Sequence, residues 1–412
     1  MATVLKDPGA DLTYDMSDAA YYVEDRWQEP FARLRAHDPI HWTQGGAFGD
    51  FWNVCSHKAI QHVEALPEIF SSSYEYGGIT LADRIEDGTD LVMPMFIAMD
   101  RPKHTGQRRT VAPAFTPTEI KRMADDIRAR TSELLDTLRW DQPFDWVDKV
   151  SIELTTQMLA ILFDFPWEDR RKLTEWSDWA GDIELAHDEE SRQERLKHLY
   201  EMGAYFKNLW DAKIDKEPTP DLISMMIHSD AMREMDEFEF MGNLILLIVG
   251  GNDTTRNSMS GLAYGLHQFP EQREKLEQNP ALIPNAVQEI IRWQTPLAHM
   301  RRTATADYDL FGKQIKKGDK LALWYISGNR DESVFEDADS IIVDRENARR
   351  HLAFGYGIHR CVGARLAELQ IAILLEEMAK RRMRVNVLAE PERVRACFVH
   401  GYRSMQVQLS KY

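Results

Sequence analysis

Three cysteines in 412 residues, Cys55, Cys361 and Cys397, are too few for a disulfide framework and point to a reducing compartment. None belongs to a Cys-x-x-Cys pair, so neither a structural zinc site nor a thioredoxin-like dithiol has a second ligand nearby. Long apolar runs are also missing. Met158–Phe163 and Leu244–Val249 fall far short of the ~20 residues that cross a bilayer. Met1–Tyr14 lacks the apolar core of a signal peptide. These absences predict a cytoplasmic protein without a membrane anchor. Positive charge is in deficit, 50 Lys and Arg against 67 Asp and Glu for a net charge of −17, which argues against nucleic acid as a partner. No linker rich in Gly, Ser or Pro divides the chain, although its length alone suggests two or three domains. Hydrophobic residues, at 43%, suffice for a sizeable core.

What is present centres on one cysteine. Phe354-Gly355-Tyr356-Gly357-Ile358-His359-Arg360-Cys361-Val362-Gly363 has the pattern Phe-x-x-Gly-x-x-x-Cys-x-Gly. Its four fixed positions should arise by chance in roughly one chain in a thousand of this length. The following Ala364–Lys380 carries Leu366, Leu369, Ile373 and Leu374 on one apolar stripe and reads as a helix. Cys361 thus lies in a glycine-bent loop at a helix N-terminus, where free amides and the dipole favour thiolate over thiol. An anionic sulfur held this way suits a soft or borderline metal. Gly357 and Gly363 let the backbone approach something large and flat, and Phe354 can pack on it. A buried, inert cysteine beside a turn is the plain alternative, and the spacing stands against it.

The stretch resembles the haem-ligand loop of the cytochrome P450 family. The resemblance implies haem b with the Cys361 thiolate as axial iron ligand, an arrangement that favours O–O cleavage, and with Phe354 and Gly355 against the ring. It also implies a single domain over 1–412, mainly α with small β-sheets, the haem lying between a long central helix and the cysteine-loop helix.

Asp236, with Glu239 three residues on, reads as the cap of a helix ended by Pro270. Its middle, Leu244-Ile245-Leu246-Leu247-Ile248-Val249-Gly250-Gly251-Asn252-Asp253-Thr254-Thr255, is odd for a buried helix, because each glycine costs about 1 kcal/mol and a buried aspartate needs a partner. Leu246, Gly250 and Thr254 share one face. A kinked core helix is the alternative. The resemblance implies that Gly250 and Gly251 leave room for O2, that Thr254 hydrogen-bonds it, and that Asp253 relays protons from solvent. His104 and Arg108, four apart, share a helix face suited to an anion; in the family such a pair binds a haem propionate. Arg302 is implied for the second propionate, with Arg301 as the alternative, and His359 is a further propionate donor. Glu289 and Arg292 match a buried structural pair closed by an arginine, here Arg345.

Ile40–Trp42 and Phe51–Val54 predict a hairpin parted by Gly45-Gly46. Ile120–Leu138 and Val150–Phe163 predict helices, and Leu321–Trp324 a buried strand. Trp176–Trp210 falls where the family has mobile lid helices, or is a solvent-facing helix pair. Ser71–Met93 is a long loop that covers the pocket in the family, offering Tyr76, Ile79, Leu81, Val92 and Met93. Cys397–Val407 reads as a hairpin, with Val399 and Tyr402 as pocket candidates beside Leu246, Gly250, Leu297 and Met300.

Together these motifs imply a haem-thiolate monooxygenase, a monomer fed with electrons from NAD(P)H by ferredoxin reductase and ferredoxin. Arg349, Arg350, Arg360 and Arg365 could dock an acidic carrier. The runs from Gly250 to Ser258, Thr295 to Ala304 and Trp324 to Asp331 look like the bacterial branch that hydroxylates medium-chain alkanes and fatty acids at the terminal carbon. The alternatives are a terpene or steroid hydroxylase, a peroxygenase, against which Asp253–Thr254 argues, and a non-catalytic haem sensor.

Overall fold

The longest element is the helix Glu237–Gln268, 32 residues and about 48 Å of axis. Asp236 caps it as predicted, its carboxylate accepting from the Glu239 amide at 2.9 Å. Phe269 leaves helical geometry and Pro270 opens the next helix, Pro270–Gln278. The computed structural model describes residues 12–83, 92–181 and 189–412. The central helix runs unbroken through its glycine pair. Leu244, Ile245 and Ile248 in its first half are buried in one hydrophobic cluster, and Met259, Leu262 and Leu266 in its second half in another. At ~1.5–3 kcal/mol for each buried side chain of this kind, both ends are held by packing. The polar, glycine-bearing middle lies between them.

Around it the chain is mainly helical with small sheets, a single domain. The largest sheet orders its strands as Ile40–Gly46, Gly49–Val54, Lys320–Leu323, Met300–Ala304 and Phe70–Ser71. The first two form the expected hairpin, with Trp42 opposite Trp52. Gly45 and Gly46 lie inside the first strand, however, and the turn falls at Ala47 and Phe48. The strand Lys320–Leu323 is buried as expected and pairs parallel to Gly49–Val54 and antiparallel to Met300–Ala304.

Pro117–Thr137 and Glu153–Phe163 are the predicted helices, the second preceded by a π-helical turn, Val147–Ile152. Trp176–Trp210 is no solvent-facing pair. In the helices Arg171–Gly181 and Glu189–Lys213, Trp176, Leu199, Met202 and Phe206 are buried in the large cluster; residues 182–188 of that stretch lie outside the described residues.

The C-terminal run Cys397–Val407 does not fold into the expected hairpin. Tyr402–Ser404 pairs with Glu392–Arg393, and Gln406–Lys411 pairs with Phe144–Asp145 and Met383–Val387. Alternation along a strand fixes which side chains share a face, not which strand it joins.

The Glu289 pair is buried as expected. Arg292 donates twice to the Glu289 carboxylate at 2.8 Å, and Arg345 Nε lies 2.9 and 3.0 Å from its two oxygens. Burial raises the carboxyl, but the two arginines outweigh it and hold Glu289 below the usual carboxylate range. Arg292 also donates to the carbonyls of Asn329 and Ala338. The triad therefore pins the helix Ile283–Gln294 to the irregular chain that leads toward Cys361.

Candidate active site

A cavity of ≈ 670 Å³ opens between the middle of the central helix and the helix Ala364–Lys380. Leu246, Gly250 and Thr254 line one side, and Cys361, Leu366 and Ala367 the other. This is the placement expected for the haem. Cys361 is exposed, and it lines this cavity. Cys55 and Cys397 are buried elsewhere, in a cluster with Tyr22 and Trp324.

The loop before Cys361 turns on Gly355 and Gly357, both at φ +68°. A side chain at Gly357 would also collide with the Glu64 carbonyl. The Cys361 amide donates to the Phe354 carbonyl at 2.8 Å. Amides of Gly363 and Ala364 point at the sulfur, and Arg108 and Arg360 are near it. Burial outweighs them and pushes the thiol above its usual range. The helix N-terminus alone therefore does not supply the predicted thiolate; a metal bound at the sulfur would deprotonate it.

His104 and Arg108, one turn apart on Lys103–Val111, reach the same cavity as His359 and Arg302. The rings of His104 and His359 lie 4.3 Å apart. Burial, then the nearby arginines, push His104 down to about 4; burial, then Arg302 and His104, push His359 down to about 2. Near neutral pH each is thus a neutral ring with one N–H. His359 Nε2 meets the Ser72 hydroxyl at 2.8 Å. His359 Nδ1 and both ring nitrogens of His104 are buried with no hydrogen-bond partner among the described residues. Orphaned polar atoms are costly. These donors, set among arginines, fit the carboxylates of a haem in this cavity.

Strand alternation separates the two candidate arginines. Met300 and Arg302 face the cavity, whereas Arg301 faces the other way. Arg302 is braced by the buried Glu64, Nη2 to Oε1 at 3.0 Å.

On the opposite wall, a Cβ at Gly250 would meet open space, whereas one at Gly251 would press on Leu159. Only Gly250 gives the predicted room; Gly251 is there for packing. Thr254 Oγ1 donates to the Gly250 carbonyl at 3.0 Å. Asp253 is buried, its Oδ1 accepting from Ser177 Oγ at 2.9 Å and Arg256 at 3.0 Å. Arg256 in turn reaches Asp178, a half-exposed carboxylate, at 2.8 Å.

Of the predicted substrate residues, Leu246, Gly250, Leu297, Met300, Val92, Ile79, Met93 and Val399 line the cavity. Tyr402 does not. Its ring packs 5.7 Å from Tyr264 and its hydroxyl donates to Gln294 at 3.0 Å, in the second cluster, because its strand pairs away from the cavity. Tyr76 is exposed and Leu81 is buried beside Trp324 instead. Residues 84–91 of that loop lie outside the described residues.

A family profile for cytochrome P450 matches residues 187–381. Linalool 8-monooxygenase of Pseudomonas putida is 34% identical over 401 residues, covering 96% of this chain and 98% of that protein. This chain belongs to the cytochrome P450 family. Among solved P450 structures, CYP153D17 from Sphingomonas sp. PAMC 26605 matches with a TM-score of 0.92 and 73% identity over 96% of this chain and 99% of that one. Cytochrome P450-153 from Novosphingobium aromaticivorans matches at 0.93 and 62%, over 97% and 100%. The chain is a P450 monooxygenase, and the family implies haem, a cysteine thiolate and O2. No helix among its described residues is long and apolar enough to cross a membrane.

Sequence reasoning missed part of this P450 site. Met95, Phe96, Leu159, Leu162, Ile245 and Phe398 also line the cavity. Nothing local marks them, since an apolar residue facing a cavity and one facing a core look alike in sequence. Ser177, Arg256 and Glu64 went unnoticed too; a polar residue inside an apolar helical stripe is the one signal that Ser177 offered.

Proposed function

We propose that this P450 hydroxylates linear apolar chains, medium-chain alkanes or fatty acids, at the terminal carbon, with Cys361 as the ligand of its haem b. The observation that carries the reading is the substrate wall, where Val92, Met95, Leu159, Leu246, Leu297 and Met300 present aliphatic and thioether side chains. The polar donors, the neutral rings of His104 and His359 with Arg108 and Arg302, line the same cavity and would serve the cofactor. A terminal C–H bond is stronger than its neighbours, so terminal selectivity needs walls that present a chain end-on. High similarity to two P450-153 structures and the branch-like motifs support this choice.

When bound, the haem supplies the activation of O2 and the insertion of one oxygen atom into a C–H bond. The protein's share is positional. Cys361 would hold the iron, and His104, Arg108, Arg302 and His359 would hold the propionates. Phe354 and Gly355, which line the cavity, would pack on the ring. Gly250 keeps a space free of side chains, beside which Thr254 presents a hydroxyl. Asp253 passes protons inward, with Ser177 and Arg256 holding its carboxylate. The aliphatic wall excludes water. Arg349, Arg350, Arg360 and Arg365 are exposed around the cysteine loop. On a chain of net charge −17 they suit an acidic ferredoxin that delivers electrons from NAD(P)H through its reductase.

Similarity to linalool 8-monooxygenase favours a terpene as the second reading. Titrating the ferric protein with dodecane, dodecanoic acid and linalool decides between them. The expected result is a low-to-high-spin Soret shift, tightest with a linear ligand, and a terminal alcohol as product. A shift with linalool alone overturns the linear-chain assignment.

A further inference from the structure

Arg301 is 4% exposed, yet its charge does not face the cavity. Its guanidinium instead gathers the chain that forms the cavity wall. Nη2 donates to the Tyr76 carbonyl at 2.9 Å, and Nη1 lies 3.0 Å from Asp83 Oδ1 and 3.5 Å from the Thr80 carbonyl. Its own amide donates to the Ile79 carbonyl at 2.8 Å. Thr303, which receives Arg301 Nε at 3.2 Å, donates to the Tyr76 carbonyl too. Gly77 has φ +103°, and a Cβ there would collide with the guanidinium, so the loop is shaped around this side chain. From the neighbouring strand, Lys320 Nζ binds Asp83 Oδ2 and the Phe48 carbonyl, each at 2.6 Å. Burial raises the Asp83 carboxyl, but Lys320 and Arg301 outweigh it and hold it below the usual range. Gly77, Gly78, Ile79, Thr80 and Ala82 of the clamped segment line the cavity.

We propose that Arg301 is a positioning residue that locks residues 76–83 into the substrate wall and so determines how closely the cavity fits a chain. One strand thereby serves both sides: Arg302 faces the cofactor and Arg301 fixes what the substrate touches. The planar fork of arginine suits several carbonyls at once, and lysine, a point charge, cannot reproduce it. The latch has a strong end and a weak one. The carbonyl contacts are partly buried, while the Asp83 carboxylate is 62% exposed and screened by water.

The inference rests on the cavity holding haem and substrate, and the test separates the two. The haem-loaded protein is titrated with imidazole and with 1-dodecylimidazole. Both bind the iron, but only the second places a tail against the wall. In Arg301→Lys the dodecyl compound should weaken about 10-fold relative to imidazole, and in Asp83→Asn about 2-fold. Haem content should not change in either variant, and amide exchange over 77–83 should accelerate in Arg301→Lys. An unchanged ratio of the two ligands, despite faster exchange, overturns the proposal and leaves Arg301 a strand anchor. Haem loss from Arg301→Lys overturns it in favour of a cofactor contact. Should Arg301→Lys not fold, the absence of any effect in Asp83→Asn and Lys320→Met overturns it instead. If the wild type gains nothing from the dodecyl tail, the linear-chain reading fails, and 4-phenylimidazole replaces the dodecyl compound to judge the latch alone.

Discussion

The two walls of the cavity are made differently. The cysteine wall is nearly one piece of chain, Phe354 to Gly363 followed by a helix. The substrate wall collects residues around 77–83, 92–96, 158–162, 245–249, 297–300 and 398–399. The first kind of wall fixes a geometry through adjacent residues and leaves a motif behind. The second is assembled by folding and leaves none. Chemistry is therefore encoded locally in this chain, and selectivity globally. Substitutions should divide accordingly: those on the cysteine wall abolish function, and those on the substrate wall grade it.

The largest effect belongs to the sulfur. Cys361→Ser should abolish the thiolate signature of the reduced carbon-monoxide complex, and hydroxylation with it. Cys397→Ser should keep both. Cys397 is buried, but in the cluster that contains Trp324, and its carbonyl accepts from His299 at 2.9 Å. Loss of the signature from the Cys397 variant, and not from the Cys361 variant, would reverse the assignment of the two walls.

Next comes the anchor of the cysteine wall. Glu289→Gln leaves Arg292 and Arg345 buried without their counter-charge, which should cost about 3–5 kcal/mol in urea unfolding. The pH dependence has a definite sign. Because Glu289 is held ionised below the usual range in the folded protein, the unfolded chain takes up its proton first as the solution is acidified. The triad's contribution is present above the ordinary glutamate range and is lost as pH falls through the depressed value. Stability of the wild type should therefore fall with acid more steeply than that of Glu289→Gln. Equal slopes would show that the triad does not titrate with unfolding.

The same division decided what could be read beforehand. The central helix, its Asp236 cap, the Cys361 loop and the His104–Arg108 face were legible because each depends on residues within about one or two turns of one another. The Glu289–Arg292–Arg345 triad was legible only through family likeness. The pairing of Tyr402–Ser404 was not legible, because its partner strand, Glu392–Arg393, is too short to leave a pattern. With that pairing went Tyr402 as a pocket residue. Arg301 and Arg302 could have been separated in advance: on a strand that presents Met300 to the pocket, period two sends Arg302 with it and Arg301 away. Gly250 and Gly251, by contrast, differ only in what the tertiary fold places opposite them.

On the oxygen side, Asp253→Asn should lower turnover about 100-fold, the scale of a lost proton-transfer group. Ligand binding and the carbon-monoxide spectrum should stay as they are. Asp253 is held by Ser177 and Arg256 and not by Thr254, so Ser177→Ala should move the same parameter in the same direction by less. A solvent isotope effect on turnover, enlarged in both variants, checks that the defect lies in proton delivery. A defect confined to substrate affinity would place Asp253 in the substrate wall instead.

The smallest effect tests the graded wall directly. Leu297 reaches the cavity from a segment whose backbone bridges to Val399, so the side chain can be shortened without disturbing a regular element. Leu297→Ala removes apolar surface from the site where a chain would be held, and should weaken dodecane binding about 10-fold. Slack at one point of a tunnel lets the chain approach the iron sideways, so part of the product should move from the terminal to the adjacent carbon. The thiolate signature should not change, since Leu297 bridges to Val399 and is not part of the cysteine loop. If regiochemistry stays terminal while affinity falls, end-on presentation is enforced elsewhere, and the clamped segment at residues 76–83 becomes the part of the wall to alter.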